Sequence, residues 1–387
     1  MEKMIYLDNS ATTPLCENAK KKISEAMEVF GNPSSLHSVG FEAEKLKENA
    51  RDSIYKALGV RKLSGDRIIF TSGGTEANNL AIFGCIRSKP AFKGKKIVTT
   101  DSEHPSVLTP FQTLEQEGYR VEYLPTNGGK VDIEDVKKAV DKDTVFISVM
   151  AVNNETGAVY DIENIFKTAK SINPNITTHC DCVQGFMKIP FFPSKMHVDM
   201  CTISSHKIHG PKGCGALYVN ADVIKTKRLT PIICGGGQEN DYRSGTENML
   251  GICGFGGACD FMRENLANNI KTTNEVREYA EEQLKAIVQI NKPKAPAPHV
   301  LNFTLPAIKS ETMLHFLSSE GIFVSSGSAC SSNHAKKASH VLLAFGLSEK
   351  QADSSLRISF SEENTKEDVD ALVSVLKKGI DTLARPN

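Results

Sequence analysis

Cys201-Thr-Ile-Ser-Ser-His-Lys207-Ile-His-Gly-Pro-Lys-Gly213 is a short apolar run that breaks into two hydroxyls, an imidazole and a lysine, then closes on a Gly-Pro-Lys-Gly turn. A lysine just past a buried strand sits where desolvation favours the neutral amine, the form that attacks aldehydes. An ordinary polar loop after a strand accounts for the same residues. The segment alone leaves both readings open, and distant residues must separate them.

Further apolar runs surround this one: Arg67-Ile-Ile-Phe-Thr71, Lys96-Ile-Val-Thr-Thr100, Thr144-Val-Phe-Ile-Ser-Val149, Ile176-Thr-Thr-His-Cys180, Met200-Cys-Thr-Ile203 and Ala216-Leu-Tyr-Val219. Helical periodicity fills several of the intervals. That rhythm predicts an α/β fold with a mostly parallel sheet covered by helices on both faces. In such sheets ligands bind beyond the carboxyl ends of the strands, so the residues just after each run carry the functional information.

The chain has 387 residues, enough for two domains. Its 46 basic and 46 acidic residues cancel, so no basic field points to nucleic acid or an anionic membrane. No apolar run is long enough to cross a bilayer, and Met1-Glu-Lys-Met-Ile-Tyr-Leu-Asp8 lacks the apolar core of a secretion signal, which predicts a cytoplasmic enzyme. The ten cysteines are scattered among predicted strands and helices and read as reduced thiols packed as small hydrophobes. His179-Cys-Asp-Cys182 has metal-ligating residue types, but strand alternation turns His179 and Asp181 to one side and Cys180 and Cys182 to the other. No second ligand pair completes a four-ligand site, so no metal is expected.

After the strand ending at Thr71, Ser72-Gly-Gly-Thr-Glu76 opens a helix. The amides of Gly74, Thr75 and Glu76 at its positive end suit a phosphate, although Thr75 as a plain helix cap fits equally. After Thr100 comes Ser102-Glu-His104-Pro105, where a proline suited to the first helical turn leaves His104 at the strand end. Beyond Met150 lies Asn153-Asn-Glu-Thr-Gly157, and beyond Cys180 lies Asp181-Cys-Val-Gln184. The loop Gly31-Asn-Pro-Ser-Ser-Leu-His37 lines a site or simply connects helices.

Past residue 219 the pattern changes to a Gly-rich loop, Cys234-Gly-Gly-Gly-Gln238 and Arg243-Ser-Gly-Thr246, then a helical stretch from Met249 to Ile290 and a Pro-rich break, Lys292-Pro-Lys-Ala-Pro-Ala-Pro298. A smaller domain of mixed elements follows, with strands near Val300–Thr304, Ile322–Val324 and Leu356–Phe360. Its helices are expected near Glu311–Leu317 and Lys366–Ile380, the last opened by Thr365-Lys-Glu-Asp368. The domain division expected is 15–260 for the large domain and 1–14 with 261–387 for the small one.

The strand ends thus present an amide-rich turn, a histidine, an asparagine, an aspartate and Lys207. Pyridoxal phosphate asks for such a set: an amine for its aldehyde, a carboxylate to keep the ring nitrogen protonated, and donors for its phosphate. With those residues in place, the chain resembles the cysteine desulfurases of the NifS/IscS type. The resemblance runs from Tyr6-Leu-Asp-Asn-Ser-Ala-Thr-Thr-Pro14 through the motifs above to Ser325-Ser-Gly-Ser-Ala-Cys330.

That resemblance implies the fold type I of pyridoxal-phosphate transferases, with a seven-stranded, mostly parallel sheet and a smaller α+β domain. It implies that Lys207 joins the cofactor aldehyde, Asp181 pairs with the ring nitrogen and His104 stacks on the ring and shuttles protons as a catalytic residue. Asn154 and Gln184 would meet the ring hydroxyl. Gly74, Thr75, Ser204 and His206 would hold the phosphate, joined by Thr246 from the other subunit of a homodimer. Arg357 would grip the carboxylate of L-cysteine, with Asn154 beside it. Cys330 would take the substrate sulfur as a persulfide, leaving L-alanine, and deliver it to an acceptor protein such as an iron-sulfur scaffold. Cys182 stands where many members have a small residue, and the short C-terminus departs from members that extend further to dock a scaffold.

Overall fold

In the computed structural model, which describes residues 4–62, 65–326 and 338–383, the described strands in chain order are β1 (Ile5–Tyr6), β2 (Arg67–Thr71), β3 (Lys96–Thr100), β4 (Arg120–Leu124), β5 (Thr144–Ser148), β6 (Thr177–Asp181), β7 (Met200–Ser204), β8 (Gly215–Val219), β9 (Gln289–Ile290), β10 (Val300–Thr304), β11 (Ile322–Phe323), β12 (Ser325–Ser326) and β13 (Ser355–Ser359). The large sheet has the order β2-β8-β7-β6-β5-β3-β4. All neighbours pair in parallel except β8, which runs antiparallel to both β2 and β7. β5 to β8 are buried along their whole length, as strands covered on both faces are; β5, β7 and β8 are largely apolar, whereas β6 buries Thr178 and His179 with their side chains hydrogen-bonded.

The sequence reading anticipated six of these seven strands. β4 was not among them: it is an edge strand whose Arg120 is exposed and whose burial alternates, so it offers no apolar run. The run expected over Ile176–Cys180 is shifted by one residue, which makes Asp181 the last residue of β6. The expected helical stretch to Ile290 is two helices, Met249–Glu264 and Leu266–Leu284, followed by β9.

The early helices are α1 (Glu17–Met27), α2 (Ser38–Ala57), α3 (Gly74–Ile86) and α4 (Pro105–Gln116). α3 is apolar along most of its length because it lies on β7 and β8 with α4 beside it. α1 and α2 lie against Met249–Glu264, a glycine-rich helix. A side chain at Gly256 would sit 2.7 Å from the Cα of Ala50, so glycine there permits the close approach of the two backbones.

β10, β13, β12 and β9 form a four-stranded antiparallel sheet with a separate core that includes Leu7, Phe303, Leu317, Phe360 and Leu376. The helices Ser310–Ser319, Leu266–Leu284 and Lys366–Leu383 cover it. The Asp368 carboxylate accepts from the backbone N–H of Thr365, as the sequence signature before the last helix implied. The chain start belongs to this second unit: β1 pairs in parallel with β11, and Asp8 bridges to Ser359. From there residues 8–13 cross to the large sheet, where the N–H and Oγ1 of Thr13 both donate to the His206 carbonyl at 3.0 Å.

Candidate active site

The carboxyl ends of β2, β3, β5, β6 and β7 open on a cavity of 410 Å³. Gly74, Thr75, His104, Asn154, Asp181, Gln184, Ser204, His206, Lys207 and Arg357 all line it. Thr246 does not. It lies in a neighbouring cavity with Ser72, Cys214 and Arg243. Cys330 is outside the described residues, but Ser325, two residues before that undescribed stretch begins, lines the site.

Each side chain is delivered by local structure. Lys207 ends a single turn that follows β7, and its Nζ donates to the carbonyls of Ser10 at 2.6 Å and Ala11 at 2.8 Å. Asp181 receives the Val183 N–H at 3.0 Å on Oδ1 and the Asn78 amide at 2.8 Å on Oδ2. His104 is the N-cap of α4 with Pro105 in the first turn, as its sequence context implied. Asn153 folds the turn beyond β5, its Oδ1 accepting from the N–H groups of Glu155 and Thr156 at 2.9 Å, and so presents Asn154. Gln184 donates to the Ser10 carbonyl at 2.8 Å. Arg357, on β13, reaches the site from the second sheet, donating from Nη1 to the Asn154 carbonyl at 2.8 Å and from Nη2 to Asp8 at 2.7 Å.

The start of α3 is the polar end of the cavity. A side chain at Gly74 would meet Val183 Cγ2 at 2.8 Å, so only glycine lets this helix begin against the cavity wall with its amides free. Burial, reinforced by the nearby cations Lys207, Lys188 and Lys212, lowers the pKa of His206 to about 4 and keeps the ring neutral. Burial also lowers that of His104, with Lys207 and His340 acting in the same sense and Asp181 opposing. Beneath His104, burial raises Glu103 to about 8, with Asp181 adding to the effect although the Met150 N–H and the Thr100 hydroxyl donate to it.

The model of the class-V aminotransferase family matches residues 5–372. The chain belongs to that family, in its NifS/IscS branch. Cysteine desulfurase IscS of Dictyoglomus turgidum is 41% identical over 393 residues, an alignment that takes in 99% of this chain and 96% of the relative. A solved NifS-like protein superposes with a TM-score of 0.89 at 35% identity, covering 99% of this chain and 100% of its own. The solved SspA in complex with cysteine superposes at 0.80 and 32% identity, over 93% of this chain and 99% of its own.

Class-V aminotransferases are pyridoxal-phosphate enzymes, and this member's cavity fits the group on its own terms. It combines an amine, a carboxylate and the amide end of a helix with two buried polar atoms on lining residues, Asn154 Oδ1 and Arg357 Nε, that have no hydrogen-bond partner among the described residues. Unpaired buried polar atoms converging on one cavity mark a place for a polar ligand. Asp8, Ser10, Asn78 and Ser106 also line this class-V site and were not singled out in the sequence. Asn78 had a signal available: it stands four residues after Gly74, on the same face of α3.

Proposed function

We propose that this protein is a cytoplasmic, homodimeric cysteine desulfurase that converts L-cysteine to L-alanine and collects the sulfur on Cys330 as a persulfide for an acceptor such as an iron-sulfur scaffold. The observation that carries this reading is the meeting of Lys207, Asp181, His104 and Arg357, from two separate sheets, around one cavity. Bound pyridoxal phosphate supplies an aldehyde for amines and a ring that accepts the electron pair left on the substrate carbon.

Lys207 would provide the amine that holds the cofactor and the base for the substrate's α proton. Asp181 would pair with the ring nitrogen and favour its protonated form. The amides of Gly74 and Thr75 hold the phosphate, with the Ser204 hydroxyl and the neutral His206 ring beside them. Asn154 and Gln184 would hold the ring hydroxyl. Arg357 grips the substrate carboxylate with its planar fork, a pairing that competes with Asp8 for the same guanidinium. The Cys330 thiolate would then attack the substrate sulfur; the bond from that sulfur to the β carbon breaks, the electron pair left on the β carbon takes up a proton, and a proton returned to the α carbon completes alanine.

Both neighbours of the stretch bearing Cys330 support its place at the site. Ser325 lines the cavity, and Ser339 donates to Glu155 at 2.6 Å, with His340 Nε2 within 3.1 Å of the Glu103 carbonyl. A homodimer is supported by Met27, Phe30, Leu36 and Phe41, which expose 66%, 89%, 90% and 58% of their surface along α1, the following loop and α2. It also gives Thr246 its role, from the other subunit. No helix among the described residues is long and apolar enough to cross a membrane. The separate core of the second unit, which among the described residues takes Leu7 and then nothing before Val276, supports a division into a large unit and a small one that includes the first strand.

The test is a single turnover of the purified yellow protein with L-cysteine and no reductant, scoring alanine and persulfide on wild type and Cys330→Ala. Alanine with persulfide in the wild type and neither in the variant is the expected result. Equal alanine in the variant would withdraw the Cys330 assignment, and no alanine from the wild type would remove the desulfurase reading.

A further inference from the structure

A chain of short hydrogen bonds joins His104 to Asp181 through two residues with no role so far. Asn78 Nδ2 donates to Asp181 Oδ2 at 2.8 Å and to Ser106 Oγ at 2.8 Å. Ser106 Oγ is 2.8 Å from His104 Nδ1, and the Ser106 backbone N–H donates to the same Nδ1 at 3.1 Å. Asn78 and Ser106 are buried, at 1% and 8% exposure.

The direction of each bond can be worked out. Turning the Asn78 amide over would set its oxygen against the Asp181 carboxylate, so the NH2 group must face it. That orientation leaves Asn78 Oδ1 buried without a partner among the described residues, a cost accepted because both neighbours demand donors. Ser106 Oγ therefore accepts from Asn78, and its own hydrogen is left for His104 Nδ1. With the backbone N–H of Ser106 also pointing at it, Nδ1 receives two donors and has no room for a proton.

We propose that Asn78 and Ser106 are positioning residues that lock His104 as the neutral tautomer with its proton on Nε2, anchored to Asp181. The proposal rests on the reading that His104 and Asp181 face the cofactor. His104 then offers a fixed N–H donor over the ring, and its second nitrogen is closed to protons. Removal of the substrate's α proton falls to Lys207. The low proton affinity of the buried His104 ring, faced by Lys207 and His340, agrees with this arrangement. A histidine held by the backbone N–H alone would have an unconstrained hydroxyl-free side and a weaker tautomer preference.

The experiment is 15N NMR of the protein labelled at its histidine ring nitrogens, with and without cofactor, at neutral pH, with the His104 signals assigned from their loss in His104→Gln. The expected wild-type pattern is an unprotonated Nδ1 and a protonated Nε2. Ser106→Ala and Asn78→Ala should each raise the fraction with a proton on Nδ1 by about five- to tenfold, the worth of one hydrogen bond, and Ser106→Thr should restore the wild-type pattern. A proton on Nδ1 in the wild type overturns the proposal, as does an unchanged tautomer ratio in both alanine variants. Far-UV circular dichroism identifies a variant that fails to fold, and the wild-type spectrum and the other variant still decide the matter. The ratio is read independently of turnover: a wild type with the expected tautomer that makes no alanine from cysteine refutes the desulfurase reading and leaves the lock standing.

Discussion

Arg51→Met is the most exacting test of how the Gly-rich loop is held. The guanidinium of Arg51, on α2, makes a two-pronged pair with Glu239 at 2.8 and 2.9 Å, with side chains only 9% and 2% exposed. It also donates to the Ile68 carbonyl and lies 4.6 Å from the centre of the Phe70 ring. Glu239 in turn accepts from the Phe70 N–H at 2.9 Å, which ties the loop to β2 just before the phosphate turn. The loop needs such a tie, because Glu239, Asn240 and Asp241 all have positive φ, at 51°, 55° and 70°, an unfavourable conformation for side-chain-bearing residues.

Removing one partner of a buried pair leaves a desolvated charge and costs about 3–5 kcal/mol. For a cooperative unit of this size that is roughly a 4–8 °C fall in the thermal midpoint. Arg51→Met should show it, whereas Lys95→Ala, which breaks the exposed pair with Asp143, should cost under about 1 kcal/mol. The chain has no tryptophan, so the assay is far-UV circular dichroism during heating, with cofactor concentration held fixed. In Arg51→Met/Glu239→Leu the midpoint should recover by more than half, since no buried charge is then left alone. A fall of less than 2 °C in Arg51→Met, or a double variant as unstable as the single one, would refute the reasoning.

Two further outcomes follow from the site. Glu103 has its folded pKa raised from 4.5 to about 8, so its contribution to stability is complete below the unfolded value and is lost as pH rises through the folded one. Wild-type thermal midpoints should therefore decline between about pH 5 and 8, and Glu103→Gln should flatten that decline; parallel curves would exclude Glu103 as the cause. Arg357→Gln removes charge-assisted bonds worth about 1.5–3 kcal/mol each, so KM for cysteine should rise by roughly 10- to 150-fold; steady-state kinetics showing an unchanged KM would mean that the carboxylate is held elsewhere.

The buried strands were readable because strands covered on both faces must be apolar, and the rule that ligands gather at their carboxyl ends then pointed to His104, Asn154, Asp181 and Lys207. Residues that reach the same cavity from another direction were harder to find. Ser106 and Asn78 lie inside the first turns of helices, where a serine or asparagine has many uses, and Asp8 enters through a crossing segment with no periodicity. Nothing in Gly215–Val219 distinguishes an antiparallel strand from a parallel one, because β8 is as buried as its neighbours. Thr246 lies in a cavity other than the one that holds Lys207 of the same chain, and the place expected for it is at the other subunit's site.

The pairing of Ile5 with Ile322 sets an order of events during synthesis. The first strand leaves the ribosome with no partner and waits while roughly three hundred residues are added, on the order of half a minute. Until β11 and β13 emerge, Ile5 and Tyr6 have no strand to pair with and Asp8 cannot be brought to Arg357. The large sheet can assemble on the nascent chain meanwhile, but its cavity stays unfinished on one side. β1 is thus among the last strands to be paired, and in that interval it is an open strand edge within reach of chaperones and proteases.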